Sequence, residues 1–320
     1  MYELNPSEMR ISAIILISLF LLSCDRKEVT PPFVLEGITQ ENFPRIDGST
    51  SVQPLQTLIA CKLLGARYEW RQALHLDNTW GLLPDYDDVP YEFFRERIKT
   101  SQTHQSFINL IDNEADLTLS ARKMSDDEKA YADSKGVTLI ETPIALDALV
   151  FLLNPSNPVK SLTSEQLRDI YLGKLTNWKE VGGRDVKINP YIRNANSGSQ
   201  ELMEALVMQG QELPEWPEEI VSTMLQAFVT IRNDVNGICY TVYYYKDRIV
   251  RDNENVKSLA VNGIYPDQKS ISSRTYPYTA EVYVVIRSDL DRNSMAYKLY
   301  ELLQTPAGKS AIRESGYIPN

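Results

Sequence analysis

The sequence predicts an α/β protein made of two domains. From about residue 44 to the C terminus, stretches with strand-like alternation are followed by stretches with helical spacing of apolar residues. This alternation is typical of α/β proteins with mostly parallel sheets. The chain has 320 residues, 43% of them hydrophobic and 24% charged. That length suits two domains of about 120 to 150 residues each.

The N-terminal residues 1–23 predict a signal peptide. Arg10 is followed by an apolar run from Ile11 to Leu22 that is too short to span a bilayer as a helix. The acidic residues before Met9 leave Met1 and Met9 as alternative starts.

The sequence LLSC, residues 21–24, is similar to a bacterial lipobox. This resemblance implies that Cys24 becomes a lipidated N-terminal residue. Its acyl chains would anchor the protein to a membrane on the extracytoplasmic side, in the cell envelope or periplasm. The alternative is a plain signal peptide in which Cys24 has no role. Residues 24–42 are polar, contain Pro31-Pro32 and predict a tether, so the folded part is expected to begin near Phe43.

Periodicity and capping signals predict the elements of the first domain. Apolar residues at helical spacing predict a helix over 52–63, and residues 115–122 alternate like a strand. Ser125 and Glu128 form a capping-box pattern for a helix that stops at Gly136. Residues 137–155 predict two strands separated near Pro143. The pattern over 65–102 is mixed and predicts no function.

The second half of the chain continues the alternation. Thr163 and Gln166 form another capping-box pattern, with Gly173 as the stop. A strand over 186–194 leads into a helix that ends at Gly210. Further strands are predicted over 237–245, 256–261 and 280–287, and two helical stretches follow them.

Charge and composition exclude several kinds of partner. The chain has 33 basic and 43 acidic residues, a net charge of −10, and no long basic run. Nucleic acid is therefore not expected as a partner, because binding to its backbone needs a positive surface. With two histidines and no Cys or His spacing of the metal-binding kind, no metal and no cofactor is predicted.

Cys61 and Cys239 remain after Cys24 is set aside. An extracytoplasmic location permits a disulfide between them. Cys61 falls on an apolar helix face and Cys239 in a strand-like run, which favours two buried free thiols.

Two loops share the same chemistry. The segments DGSTSVQPL (47–55) and RNANSGSQELM (193–203) each place hydroxyls and a glycine directly before a helix. Helix N-termini expose unpaired N–H groups and the positive end of the dipole, so such loops can hold an anion. Arg193 adds a guanidinium suited to a tetrahedral oxyanion. The alternative is that the hydroxyls are ordinary helix caps, and the residues alone do not decide between the two.

Together with the stretch NPSNPVKSLTSEQLRDIYLGKLTNWKEVGG (154–183), these loops resemble the phosphate-binding component of the phosphate ABC transporter, in the periplasmic-binding-protein superfamily. The resemblance implies a type II fold of two α/β lobes, hinged by two crossover strands, with the ligand cleft between the lobes. It implies lobe 1 over 43–144 plus 278–320 and lobe 2 over 145–277. It also implies a monomeric solute-binding protein, not an enzyme, that delivers inorganic phosphate to an ABC permease.

The resemblance also implies a set of ligand contacts. The residues that match the family's binding loops are Ser49, Thr50, Ser51, Thr103, Ser120, Arg122, Arg193, Ser197, Gly198 and Ser199. The match at Thr103 is weaker, because KTSQTHQS (99–106) lacks the family's glycines, and a solvated turn is the alternative there. Arg122 stands where many relatives place an acidic residue, which predicts weak discrimination of phosphate from sulfate.

The sequence leaves other functions open. The same fold could bind another small oxyanion or act as a ligand sensor without transport. An envelope serine hydrolase is a further alternative and would need a base beside its serine. Asp147 is either a buried partner for Arg193 or a residue at the hinge.

Overall fold

The computed structural model describes residues 31–74, 78–214 and 220–320. The predicted signal peptide, both alternative starts, Cys24 and His75 lie outside these residues. All of the described residues belong to the unit Pro31–Asn320. None of the helices in the described ranges is long and apolar enough to cross a membrane.

The described chain alternates helices and strands, as predicted. The helices are α1 (Gln53–Leu64), α2 (Tyr91–Arg97), α3 (Thr103–Ile111), α4 (Asp126–Lys135), α5 (Ser164–Tyr171), α6 (Gly198–Leu202), α7 (Met224–Asn233), α8 (Gln268–Ser272), α9 (Met295–Leu303) and α10 (Pro306–Ser315). The strands are β1 (Ile46–Gly48), β2 (Tyr68–Gln72), β3 (Trp80–Pro84), β4 (Leu117–Ser120), β5 (Leu139–Leu153), β6 (Ser161–Leu162), β7 (Asn189–Pro190), β8 (Ile192–Arg193), β9 (Ile220–Val221), β10 (Gly237–Val242), β11 (Lys257–Ser258), β12 (Ala260–Val261), β13 (Thr279–Arg287) and β14 (Ile318–Pro319). Short 3₁₀ turns cover Thr50–Val52 and Trp178–Val181, and π-helical segments cover Met203–Met208 and Tyr245–Ile249.

Strand β5 runs through the middle of the main sheet, whose order is β1-β4-β13-β5-β10-β7. Its residues 139–148 pair with β13, and its residues 149–153 pair with β10. One strand therefore joins two halves of the sheet. The predicted lobe boundary at 144/145 falls inside this strand, and the boundaries of the two lobes stay predictions.

The sequence predicted two strands over 137–155, and this was wrong. The chain forms the single strand β5, with Pro143 inside it. The register against β13 shifts between Val282, opposite Ala145, and Tyr283, opposite Pro143. Ile144 is the extra residue of this bulge. A bulge lets a strand accommodate a proline that cannot donate to the hydrogen-bond ladder, so Pro143 does not break the strand.

The expectation of mostly parallel sheets was also wrong. Only the outer pairs β1–β4 and β10–β7 of the main sheet are parallel. The central pairs β4–β13, β13–β5 and β5–β10 are antiparallel. Strand β13 comes after β6–β12 in the sequence and pairs with β5 in the opposite direction.

The predicted strand 237–245 ends at Val242, and the chain then becomes helical through Ile249. Val242 pairs with Leu149, whereas the preceding residue of β5, Ala148, pairs with Thr279 of β13. Strand β5 thus changes partner at this point. In the described part of the chain no strand pairs with residues 243–245, and β-propensity alone does not hold an unpaired strand.

The capping signals in the sequence are confirmed. Ser125 and Glu128 make both hydrogen bonds of a capping box at α4, and Thr163 and Gln166 do so at α5. Gly136 ends α4 in the left-handed conformation that glycine favours.

The core begins earlier than the sequence indicated. Phe33 lies within the predicted tether, yet it is buried in the main hydrophobic cluster, and Leu35 and Ile38 pack against that cluster. The packed part of the chain therefore starts before Phe43. Cys61 and Cys239 are buried free thiols, as their apolar positions favoured.

Residues 65–102, which predicted no function, contain a hairpin that contacts the second half of the chain. Strands β2 and β3 pair antiparallel, and Arg251 lies over the rings of Trp70 and Trp80 at 5.6 and 4.8 Å from their centroids. The Arg251 amide donates to the carbonyl of Asn78 at 2.8 Å. We call this arrangement of Trp70, Trp80 and Arg251 the tryptophan clamp.

Candidate functional site

A cavity of about 500 Å³ lies where four helices begin. Its wall contains the 3₁₀ turn that leads into α1 and the first residues of α3, α6 and α7. The residues that line it are Ser49, Thr50, Ser51, Ser101, Gln102, Thr103, His104, Gln105, Ala121, Arg193, Asn194, Ala195, Asn196, Ser197, Gly198, Ser199, Ser222, Thr223, Met224, Leu225, Val242 and Tyr245.

The wall is rich in hydrogen-bond donors. Helix N-termini carry backbone N–H groups without intrahelical partners and the positive end of the helix dipole. Seven serines and threonines of the three predicted loops add hydroxyl donors, and Arg193 adds a guanidinium. No aspartate or glutamate is found among the described residues of the wall. Such a cavity suits a small anion.

The first loop, residues 47–52, follows β1 and is held by backbone contact with β4. Ser49 donates its amide to the carbonyl of Leu119, and its hydroxyl oxygen accepts from the amide of Ala121 at 3.1 Å. A Cβ added at Gly48 would lie 2.5 Å from the Leu119 carbonyl, so the close approach requires glycine. Neither Ser49 nor Val52 makes a side-chain cap bond. The hydroxyl of Ser49 therefore connects the first loop to the loop after β4 and does not cap the helix.

The middle loop, residues 99–104, exposes Lys99, Thr100 and Gln102 but packs its Thr103 against the first loop. Thr103 is buried, and its hydroxyl donates to the Ser49 hydroxyl at 3.0 Å. The buried Asp47 holds the middle loop in place through its carboxylate. Its Oδ1 accepts from the amides of Gly48 and Ser101, and its Oδ2 accepts from the side-chain amide of Asn109. Asp47 thus positions the loop without entering the wall.

The second loop, residues 193–199, brings Arg193 to the cavity. Short strand β8 ends at Arg193, whose amide donates to both the Gln200 side-chain oxygen and the Tyr240 hydroxyl at 3.1 Å. On the side chain, Nε donates to the carbonyl of Val221 at 2.8 Å. These bonds hold the guanidinium in one place.

The Arg193 guanidinium has no acidic partner among the described residues. The side chain is 5% exposed, and Nη1 is buried without a hydrogen-bond partner there. Burial lowers the pKa of the guanidinium from its ordinary value. A buried cation without a counter-charge is costly, and an anion in the cavity would supply both the charge and the missing acceptor.

Ser197, Gly198 and Ser199 also line the cavity. Ser197 is an N-cap, since its hydroxyl oxygen accepts from the amide of Gln200 at 3.2 Å. Ser197 is therefore both a helix cap and a part of the cavity wall. A Cβ added at Gly198 would lie 2.7 Å from the Thr103 hydroxyl oxygen. The second and middle loops are therefore in contact.

Ser120 and Arg122 do not line the cavity. The Ser120 hydroxyl donates to the backbone carbonyl of Arg122 at 2.7 Å. The Arg122 guanidinium donates to both carboxylate oxygens of the buried Glu128 at 2.7 Å, and Nη2 also reaches the carbonyl of Asn196 at 3.3 Å. Both are buried beside the site, and their role as ligand contacts stays a prediction.

Several parts of the wall were not selected from the sequence, among them His104 and residues 222–225. His104 follows Thr103 in the first turn of α3, and its Nδ1 lies 3.0 Å from Oε1 of Glu128. Residues 222–225 lie at the start of α7, where Thr223 is the N-cap. The Thr223–Gln226 capping pattern could have indicated a third helix N-terminus. No signal in the sequence paired His104 with Glu128.

Asp147 lies at the point where β5 changes partners. Its Oδ1 accepts from the amides of Ala148 and Tyr244, while Oδ2 is buried without a partner among the described residues. It makes no ion pair with Arg193. Asp147 was expected to be either a buried partner of Arg193 or a residue at the hinge. It is observed in β5, at the point where this strand passes from one half of the sheet to the other. Burial raises the pKa of its carboxyl to about 7.

Comparison with known proteins identifies the family. Residues 97–299 match the family model PBP_like_2, described as a PBP superfamily domain. Because the match covers more than half of the chain, this protein belongs to the PBP superfamily. The membership predicted from the sequence motifs is confirmed.

Two individual relatives are similar to this chain over more than half of its length. The phosphate-binding protein PstS of Staphylococcus epidermidis is 27% identical over 222 residues, which are 68% of this chain and 67% of that protein. PstS of Bacillus subtilis is 26% identical over 196 residues, which are 60% of this chain and 61% of that protein. The matched stretch therefore spans about two thirds or less of these relatives.

A solved structure shows the same fold. A substrate-binding protein from Clostridium perfringens, attributed to phosphate ABC transport and solved with bound phosphate, superposes with a TM-score of 0.63 at 21% identity. The match covers 86% of this chain and 98% of that one. The predicted two-lobed α/β fold, with crossover strands and a cleft between the lobes, is confirmed.

Proposed function

We propose that this protein is an extracytoplasmic solute-binding protein that captures inorganic phosphate for an ABC importer. It binds the ligand and does not transform it. The observation that carries the proposal is the buried Arg193 guanidinium, which lines a donor-rich cavity and has no acidic partner among the described residues. A bound oxyanion would neutralise it and accept from its Nη1.

The cavity supports binding of an anion although the chain carries a net charge of −10. Donors within the cavity act at hydrogen-bond distance, whereas surface charges are screened beyond about 8 to 10 Å. The starts of α1, α3, α6 and α7 give the wall partial positive charge from several directions. This arrangement suits a tetrahedral ion better than a planar carboxylate, which needs fewer directions of approach.

The relatives favour phosphate among the small oxyanions. Both curated relatives are named phosphate-binding protein, and the Clostridium perfringens structure holds phosphate. The transport role adds three further proposals: lipidation of Cys24, delivery of the ligand to an ABC permease, and a monomeric state. The lipobox-like sequence before Cys24 supports the first of these.

Isothermal titration calorimetry tests the binding function. The full chain, purified in detergent and freed of bound phosphate, is titrated with phosphate, sulfate, molybdate and a small carboxylate such as acetate. We expect one phosphate per chain with the tightest binding of the series. Absence of phosphate binding would overturn the proposal. Tighter binding of another oxyanion would mean that this ion, and not phosphate, is the ligand.

Chromogenic phosphate and acyl esters test the claim that no chemistry occurs. A serine nucleophile needs a base within hydrogen-bond distance. In the described part of the chain, His104 is bonded to Glu128 and to none of the cavity serines. We therefore expect no release of the chromophore above the rate without protein, and sustained turnover would contradict the proposal.

A further inference from the structure

The hairpin of β2 and β3 is attached at its base to the half of the main sheet that contains β13, which we call the β13 half. Strand β3 packs against α1, and the Tyr68 hydroxyl of β2 donates to Glu314 of α10. Glu314 also accepts from Lys62 of α1 at 2.6 Å. After α10 the chain forms β14, which pairs with β5 in the part of that strand that also pairs with β13. The hairpin itself precedes residue 97, where the match to the family model begins.

The other end of the hairpin contacts the half of the sheet that contains β10, which we call the β10 half. The chain leaves β10 through a π-helical segment and then reaches Val250. Thr79 forms an antiparallel bridge with Val250, and the Arg251 amide donates to the carbonyl of Asn78 at 2.8 Å. Nδ2 of Asn78 donates to Oδ1 of Asp252 at 3.2 Å. The backbone and the side chain of Asn78 therefore contact consecutive residues of the β10 half.

Asp252 is held in place within the β10 half. Its side chain is fully buried, Oδ2 accepts from Nε of Arg232 at 3.1 Å, and Oδ1 accepts from Asn255 at 2.8 Å. Arg232 belongs to α7, which packs against β10 and whose first residues line the cavity. Asn78 thus adds a bond to a carboxylate that a charge-assisted contact already orients.

The tryptophan clamp supplies the second contact of the hairpin with the β10 half. Arg251 lies over one ring from each strand of the hairpin, Trp70 of β2 and Trp80 of β3. None of Asn78, Trp70, Trp80 and Arg251 lines the cavity. The hairpin therefore joins the two halves of the sheet away from the ligand site and separately from β5.

Loops of the two halves meet beside the cavity. Nη2 of Arg122, which follows β4, donates to the carbonyl of Asn196 at 3.3 Å. Gly198 lies so close to Thr103 that an added Cβ would be 2.7 Å from the threonine hydroxyl oxygen. Opening of a hinged cleft separates such loops, so the arrangement described here is a closed one. A rotation about β5 that breaks these contacts also displaces residues 250–252 relative to the hairpin.

We propose that the β2–β3 hairpin is a brace between the two lobes that favours the closed cleft and slows release of the ligand. Opening weakens the tryptophan clamp and the two bonds of Asn78, so these contacts stabilise the closed arrangement without touching the ligand. A larger closed fraction raises the apparent affinity, because only the competent arrangement holds the ligand fully. This inference rests on the proposed phosphate-binding function for its ligand, and it concerns the motion of the lobes.

Release of phosphate tests the brace in the ligand-bound protein. ³²P-phosphate bound to the full chain in detergent is chased with unlabelled phosphate and followed by rapid filtration. For Arg251→Ala the release rate should rise about threefold to thirtyfold, which corresponds to loss of a partly exposed cation–π contact. Arg251→Lys keeps the cation and should show a smaller rise. The control Arg292→Ala loses a contact with Tyr297 of α9, which packs against β13, and should release phosphate at the wild-type rate.

The distance between the lobes tests the brace without any ligand. Spin labels are attached to p-acetylphenylalanine introduced at two exposed positions, Asp133 of α4 and Glu165 of α5. Double electron–electron resonance then gives the distribution of distances between the labels in the phosphate-free protein. For Arg251→Ala this distribution should shift to longer distances than in the wild type, and for Arg292→Ala it should not change.

The outcomes separate the two proposals. A wild type that binds phosphate, combined with unchanged release and unchanged distances in Arg251→Ala, overturns the brace and leaves the proposed function intact. Longer distances with an unchanged release rate overturn the effect on the ligand. A wild type that binds no phosphate overturns the proposed function, and the distances in the phosphate-free protein still decide whether the brace exists. If Arg251→Ala does not fold, Trp70→Leu takes its place with the same expectations.

Discussion

The guanidinium of Arg122 holds the carboxylate of Glu128 through two hydrogen bonds of 2.7 Å, and both side chains are buried. Arg122→Ala would leave the Glu128 charge buried without its partner. We expect the free energy of unfolding to fall by about 3 to 5 kcal/mol. Urea unfolding of the ligand-free protein measures this. Lys129→Ala, which removes an exposed pair with Asp126, is the control, and a similar small effect for both variants would contradict the prediction.

Arg193→Ala should nearly abolish oxyanion binding. Loss of a desolvated, charge-assisted contact costs on the order of 2 to 5 kcal/mol of binding free energy. The melting temperature without ligand should stay the same or rise, because an unpaired buried cation is removed. Arg168→Ala is the control, since Arg168 donates to the carbonyl of Val207 and lies outside the cavity wall. An unchanged phosphate isotherm would refute the assignment.

Asp147→Asn should change how stability depends on pH. The folded-state pKa, raised by burial to about 7, exceeds that of an unfolded aspartate, so the folded protein binds the extra proton between about pH 4 and pH 7. The stabilising contribution of protonated Asp147 is complete below about pH 4 and is lost as the pH rises through 7. Asparagine stays neutral and keeps an oxygen for the amides of Ala148 and Tyr244.

The Asp147→Asn variant should therefore match the wild type near pH 4 and be more stable at pH 8, by about 2 to 4 kcal/mol. Urea unfolding across this pH range measures the difference. Asp133→Asn on the exposed side of α4 serves as the control and should show no such trend. If the unfolding free energies of Asp147→Asn and wild type differed by the same amount at all pH values, the titration of the Asp147 carboxyl in this range would be excluded.

Arg251→Ala should weaken the tryptophan clamp. The side chain lies over Trp80 at 4.8 Å and over Trp70 at 5.6 Å, and a partly exposed cation–π contact is worth about 0.5 to 2 kcal/mol. We expect a loss of unfolding free energy of that size and a change in tryptophan fluorescence. Arg292→Ala removes a single contact with Tyr297 and should cost less. Equal losses in the two variants would argue against the clamp.

Cys24→Ala should release the protein from membranes. If Cys24 carries the acyl chains, the variant has no lipid anchor and should remain in the aqueous phase of a detergent partition. Wild-type protein expressed in the same way should enter the detergent phase. A variant that still partitions with detergent would place the anchor elsewhere in the chain.

Local signals in the sequence determined much of this protein. The capping boxes at Ser125 and Thr163, the helix after Gly48 and the loop at Arg193 each depend on residues within a few positions of one another, so their spacing predicts them. The two loops predicted to hold an anion could be selected because a hydroxyl-rich segment before a helix has the same chemistry in any fold.

Tertiary structure alone decided which side chains meet. Arg122 and Glu128 have a spacing of six residues that no periodic pattern marks, yet their buried side chains pair in the folded protein. His104 lines the wall because α3 begins beside the first loop, and its Nδ1 lies 3.0 Å from Oε1 of Glu128, 24 residues away. Likewise, Pro143 stays within β5 because β13, far along the chain, pairs with it through a bulge. Such contacts depend on packing between distant segments, and the spacing of residues along one chain carries no record of them.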